Sequence, residues 1–109
     1  MKKLMMFAAF AALPALAGAE TWTNAAMVDV SCSAKAKADP DAHTRACALG
    51  CAKSGFGILT SDGSFLKFDQ KGNDETLAAL KKTNKKDHLR VTVNGERSGD
   101  TIHVQSVKL

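Results

Sequence analysis

The sequence has no tyrosine and one tryptophan, and aromatic side chains make up 6% of its 109 residues. Beyond the first 19 residues only Trp22, Phe56, Phe65 and Phe68 remain. A surface that stacks bases needs exposed aromatics and a basic track, and a core needs its own bulky side chains. Four aromatics do not serve both, so nucleic acid is not an expected partner. The formal net charge is +4, and Lys2 and Lys3 supply two of those charges. The one basic cluster, Lys81-Lys82-Thr83-Asn84-Lys85-Lys86, reads as a solvated loop after a helix end.

Catalytic signatures are also missing. The chain has no Gly-x-Ser-x-Gly, no Gly-rich phosphate loop and no His-Glu-x-x-His. It has no Cys-x-x-Cys and no Cys-x-x-Cys-His, so neither a thioredoxin-like motif nor covalent haem is supported. The expectation is a protein that is not an enzyme and binds neither haem nor nucleotide.

No apolar run is long enough to cross a bilayer, which takes roughly 20 residues. The longest, Leu4 to Leu13, instead follows Lys2-Lys3 and precedes the breaker Pro14 and the small-x-small triplet Ala17-Gly18-Ala19. That order predicts a signal peptide over residues 1–19, cleaved before Glu20, and a periplasmic or secreted product without a membrane span. Residues 20–109 are then a single small domain, which gains from a cross-link or a metal.

Patterning along that domain is clear in places. "AMVDVSC" (26–32) alternates and predicts a strand with Val28, Val30 and Cys32 on one face. Asp29 falls on the opposite face from Cys32, which argues against a catalytic pair of the two. Asp39-Pro40-Asp41 predicts a helix start, with the helix running to about Lys53 and Gly55 ending it. "FGILT" and "SFLKF" around Ser61-Asp62-Gly63-Ser64 predict a hairpin. "GNDETLAALKKT" predicts a second helix, capped by Asn73 or Asp74 and packed through Leu77 and Leu80. Two final strands place Leu89, Val91, Val93, Ile102 and Val104 inward, with Gly95 and Gly99 marking the turn between them. His88 and His103 fall on outward phases and read as surface residues.

With the first helix set aside, the order is strand-strand-strand-helix-strand-strand. That order resembles the OB-fold, a five-stranded Greek-key barrel with a helix between strands 3 and 4. The fold expected is therefore all-β with added helices (α+β). An extra helix between strands 1 and 2 departs from the plain pattern and carries the distinctive chemistry.

Cysteine is scarce, with three in the chain: Cys32, Cys47 and Cys51. On a continuous helix His43, Cys47 and Cys51 advance by four and share one face, and Cys32 ends the neighbouring strand. Thiols in an oxidising compartment are usually paired or coordinated. Two readings stand. Cys32, His43, Cys47 and Cys51 form a site for a transition metal, Zn or Cu. Alternatively, Cys32 forms a disulfide with Cys47 or Cys51 in a module that binds an extracellular ligand or a protein partner.

Overall fold

The structure, a computed structural model, describes residues 19–109. Apart from Ala19, the expected signal peptide lies outside the described residues. β1 (Ala19–Asp29) leads into an insertion, residues 30–55, built from short helical pieces. These are a 3-10 turn at Val30–Cys32, α1 (Ser33–Ala36), a 3-10 turn at Pro40–Ala42, α2 (Arg45–Gly50) and a 3-10 turn at Ala52–Ser54. β2 (Phe56–Leu59), β3 (Phe65–Phe68), α3 (Gln70–Lys82), β4 (Arg90–Ser98) and β5 (Thr101–Lys108) follow.

The five strands close into a barrel in the order β1-β2-β3-β5-β4. Four of the pairings are antiparallel, while β3 and β5 run parallel through Lys67–Thr101 and Phe68–Ile102. The α+β class and the five-stranded barrel thus follow the expectation. Among the described residues, no helix is long and apolar enough to cross a membrane.

Alternation explains most of the barrel. Leu89, Val91, Val93, Ile102 and Val104 are buried, as their phase requires, and Leu80 of α3 closes the same core. The β2–β3 hairpin forms at the Asp-Gly turn, with Gly63 at φ 88°. Asp62 accepts from the Ser64 N–H at 3.0 Å and from the Thr60 hydroxyl. These bonds, the Thr60 one first, hold its carboxyl down at about 2. Strand β2 meets β3 closely: a Cβ at Gly57 would strike the Leu66 carbonyl and sit 2.8 Å from the Lys67 Cα.

Four local expectations need correction. The first strand covers Ala19–Asp29, not 26–32, and Val30 and Cys32 lie in the 3-10 turn beyond it. Its last five residues, Ala25 to Asp29, are all buried, because one face lines the barrel and the other is covered by α1. Met27 enters the main core, while Val28 packs with Ala36 and Leu59 outside it. A strand buried on both faces carries no usable alternation.

The helix expected from Asp39 to Lys53 is broken at His43 and Thr44, whose ψ angles of 124° and 158° are extended. Tertiary bonds account for the break. The Arg45 N–H donates to the Lys86 carbonyl at 2.8 Å and Arg45 Nε to the Leu80 carbonyl at 2.6 Å. Thr44 then caps α2 by accepting from the Cys47 N–H at 3.1 Å. Helix α3 begins earlier than expected because Asp69 caps it, accepting from the Gly72 N–H at 3.0 Å. Asn73 instead accepts from the Phe56 N–H at 2.8 Å. Finally, Gly95 lies within β4 opposite Val104, at a register shift, and the turn falls at Gly99, φ 62°.

Candidate metal centre

Asp29 is the last residue of β1 and is fully buried. Its carboxylate caps the 3-10 turn that follows: Oδ2 accepts from the Cys32 N–H at 3.0 Å and from the Ser31 hydroxyl at 2.6 Å. That cap bends the chain sharply, so the Cys32 side chain returns toward the carboxylate three residues behind it. The opposite-face reading of Asp29 and Cys32 fails for this reason.

Cys51 arrives from the other side, at the C-cap of α2. Two short segments are laced together there. The Val30 N–H donates to the Gly55 carbonyl at 2.9 Å, and the Ser31 N–H to Ser54 Oγ at 3.2 Å. Ser54 Oγ in turn donates to the Cys51 carbonyl at 2.9 Å. The sulfurs of Cys32 and Cys51 and a carboxylate oxygen of Asp29 all lie within 4.8 Å of one another. Among the described residues this is the group of three His, Cys, Asp or Glu donors close enough to hold an ion.

His43 stands behind the group. Its side chain is 7% exposed, and its Nε2 lies 2.7 Å from Asp29 Oδ1. The distance is short, yet neither atom has a hydrogen-bond partner of good alignment. The pair is a buried ion-pair contact of poor hydrogen-bond geometry.

Burial raises the Cys32 thiol above its ordinary value, and the Asp29 carboxylate and the Cys51 sulfur add to the rise. In this arrangement Cys32 is held protonated, which disfavours a nucleophilic role.

The expected ligands therefore separate. Cys32 and Cys51 come together, His43 touches Asp29 without joining the group of three, and Cys47 is exposed on α2. The break at His43 and Thr44 is the cause, since it removes the helical stripe that would have aligned 43, 47 and 51. All three cysteines are free thiols, so neither the Cys32–Cys51 nor the Cys32–Cys47 bond is formed. His88 and His103 do not meet either. His88 precedes β4 and contacts Asp87 at 2.7 Å, whereas His103 pairs across from Glu96.

Asp29 is the residue that strand alternation missed. A signal for it exists in "DVSC": Asp29 stands three positions before Cys32, the spacing at which an N-cap carboxylate accepts from a backbone N–H. Comparison with protein family models, curated proteins and solved structures finds no match for this chain.

Proposed function

We propose that this chain is an exported, non-enzymatic module that binds a transition metal, Zn or Cu, through Asp29, Cys32 and Cys51. The observation that carries the reading is the convergence of two sulfurs and a buried carboxylate within 4.8 Å. Buried carboxylates are retained where they are paired or coordinate a cation. A cation in the group would also offset the burial and, after it, the Asp29 repulsion that raise the Cys32 thiol.

The barrel supports an OB-like architecture. Its strand order, its parallel β3–β5 closure and the position of α3 between β3 and β4 all suit that fold. The compartment reading rests on the N-terminal sequence alone, and reduced or metal-bound thiols outside the cytoplasm agree with a coordinating role.

The test is anaerobic titration of the processed chain with zinc in competition with a chromophoric chelator. Wild-type protein should take up one equivalent. Cys32→Ser and Cys51→Ser should bind much more weakly, and Cys47→Ser should bind as wild type. Equal binding by all four proteins would refute the assignment.

A second reading keeps one specific observation. The Cys32 and Cys51 thiols are close enough to be joined by a modest shift, which would tie the insertion to the barrel and contribute about 3 kcal/mol. The module would then use the open groove of about 690 Å³ lined by Trp22, Arg90 and Arg97 to hold a ligand. Non-reducing thiol counts separate the two readings, with one free thiol for the disulfide and three for the metal site after chelation.

A further inference from the structure

We infer that His43 supplies the fourth ligand, so that the site is a closed, four-coordinate S2NO centre for a divalent ion of the zinc class. This rests on the metal reading above and goes beyond it in naming the ion class and the coordination. Three observations lead there.

First, the imidazole of His43 is almost wholly buried, yet its Nε2 has no aligned hydrogen-bond partner. A buried polar ring atom left without a partner costs about 1–3 kcal/mol, so such atoms are rare unless something else engages them.

Second, Asp29 divides its two oxygens between different tasks. Oδ2 is occupied by the Ser31 hydroxyl and the Cys32 N–H, which fix the carboxylate in place. Oδ1 is buried and has no aligned donor, so its lone pairs are the ones left to give. Oδ1 and Nε2 stand side by side, and Asp29 is one of the three residues whose donor atoms converge, with the Cys32 and Cys51 sulfurs.

Third, His43 lies outside every helix, with extended backbone between a 3-10 turn and Thr44. Its ring can therefore shift without unwinding a helix. Nε2 and Oδ1 are 2.7 Å apart. Around a tetrahedral zinc with bonds of about 2.0 Å to each, they would stand roughly 3.3 Å apart. Loading would spread them by about 0.6 Å and draw the ring toward the sulfurs.

The donor set then selects the ion. Two thiolates, one imidazole and one carboxylate make a mixed set that suits a borderline divalent ion in tetrahedral geometry. A monovalent copper ion prefers sulfur alone and would leave the buried Asp29 charge less well compensated. A closed shell of four protein ligands is the arrangement of a structural centre, and here it would join β1 to the two turns of the insertion.

Cobalt(II) substituted for zinc in the full chain under anaerobic conditions tests this directly. The expected spectrum is tetrahedral, with sulfur-to-cobalt intensity for two thiolates, and added imidazole leaves it unchanged. Cys47→Ser should give the same spectrum. His43→Ala should bind cobalt more than tenfold more weakly and become responsive to imidazole, which fills the vacated position. A wild-type spectrum that shifts on adding imidazole would overturn the inference while leaving a three-ligand metal site standing, and it needs no variant to fold. Loss of one third of the sulfur intensity in Cys47→Ser would make that cysteine the fourth ligand and overturn it equally. Failure of the reduced wild-type chain to bind cobalt at all would remove the metal reading and this inference together.

Discussion

In the barrel, the place of a side chain follows from its strand: Val91 and Val93 point in, while Arg90 and Thr92, which alternate with them, stay half-buried. In the insertion no such rule operates. Residues 30–55 form five helical pieces of three to six residues, and the Val30–Cys32 turn and α2 are each held by a side-chain cap. Of these residues, Ala36 and Ala48 are the apolar side chains buried outright before the chain re-enters the barrel, and both are small. The barrel rests on buried area, whereas the insertion rests on a few directed polar contacts and, on the present account, on an ion. Regions of the second kind respond to conditions that leave the first kind unchanged.

That contrast sets the size of the expected effects. Ile58 is fully buried in the barrel, so Ile58→Ala should cost about 2–5 kcal/mol through lost burial and a residual cavity. Leu49→Ala, on the half-buried side of α2, should cost less. Equal losses in urea denaturation would mean that the insertion, like the barrel, rests on buried area. The close approach at Gly57 should make Gly57→Ala destabilising by about 1–3 kcal/mol, because the new Cβ meets backbone atoms that cannot move aside cheaply. Normal stability of that variant would contradict the β2–β3 spacing.

Within the insertion, Thr44→Ala removes the cap of α2 and should cost about 1 kcal/mol. The loss should appear mainly as faster hydrogen exchange over residues 45–51, with the barrel amides unchanged. Zinc should restore part of that protection. An ion present at 100 times its dissociation constant stabilises the state it binds by about 2.7 kcal/mol, and removing it with a chelator should reverse the gain. The same addition to Cys51→Ser should do little.

The smallest expected effect concerns the tie between the two regions. Arg90 of β4 grips Asp41 of the insertion through bonds of 2.8 Å and 3.0 Å. The hydrogen bond from Arg90 is the main cause holding the Asp41 carboxyl below its ordinary value of 3.8. A carboxyl lowered in the folded state stabilises it above the unfolded value and loses that contribution as pH falls through the lowered one. Arg90→Ala should therefore be less stable than wild type at neutral pH, and the difference should vanish in acid. His88 behaves in the opposite sense. Its value is raised, chiefly by its bond to Asp87, so its contribution is present below the ordinary 6.5 and fades as pH rises past the raised value. Both differences can be read from urea midpoints at a series of pH values.

The barrel was legible in the sequence because Leu89, Val91, Val93, Ile102 and Val104 obey the strand period, and Asp62-Gly63 obeys turn chemistry. The strand-by-strand order and the second helix could be read for the same reason. The site was legible only in part. Cys32 and Cys51 are legible as thiols, but alternation puts Asp29 on the wrong face because β1 is buried on both sides and then bends at its own cap. The stripe of His43, Cys47 and Cys51 requires an unbroken helix, which Pro40 and the alanines Ala42, Ala46, Ala48 and Ala52 favour locally. The break arises from Arg45 reaching Lys86 and Leu80, partners some 35 to 41 positions away, and no local pattern carries that information.

The central claim is that two thiols and a buried carboxylate hold an ion between the insertion and the barrel. Native mass spectrometry of the processed chain, purified anaerobically and supplied with zinc, tests it most directly. The expected mass is that of one chain plus one zinc less the two thiol protons, retained in Cys47→Ser and lost in Cys32→Ser and Cys51→Ser. A chain that stays metal-free with zinc in excess and its thiols reduced would contradict the account.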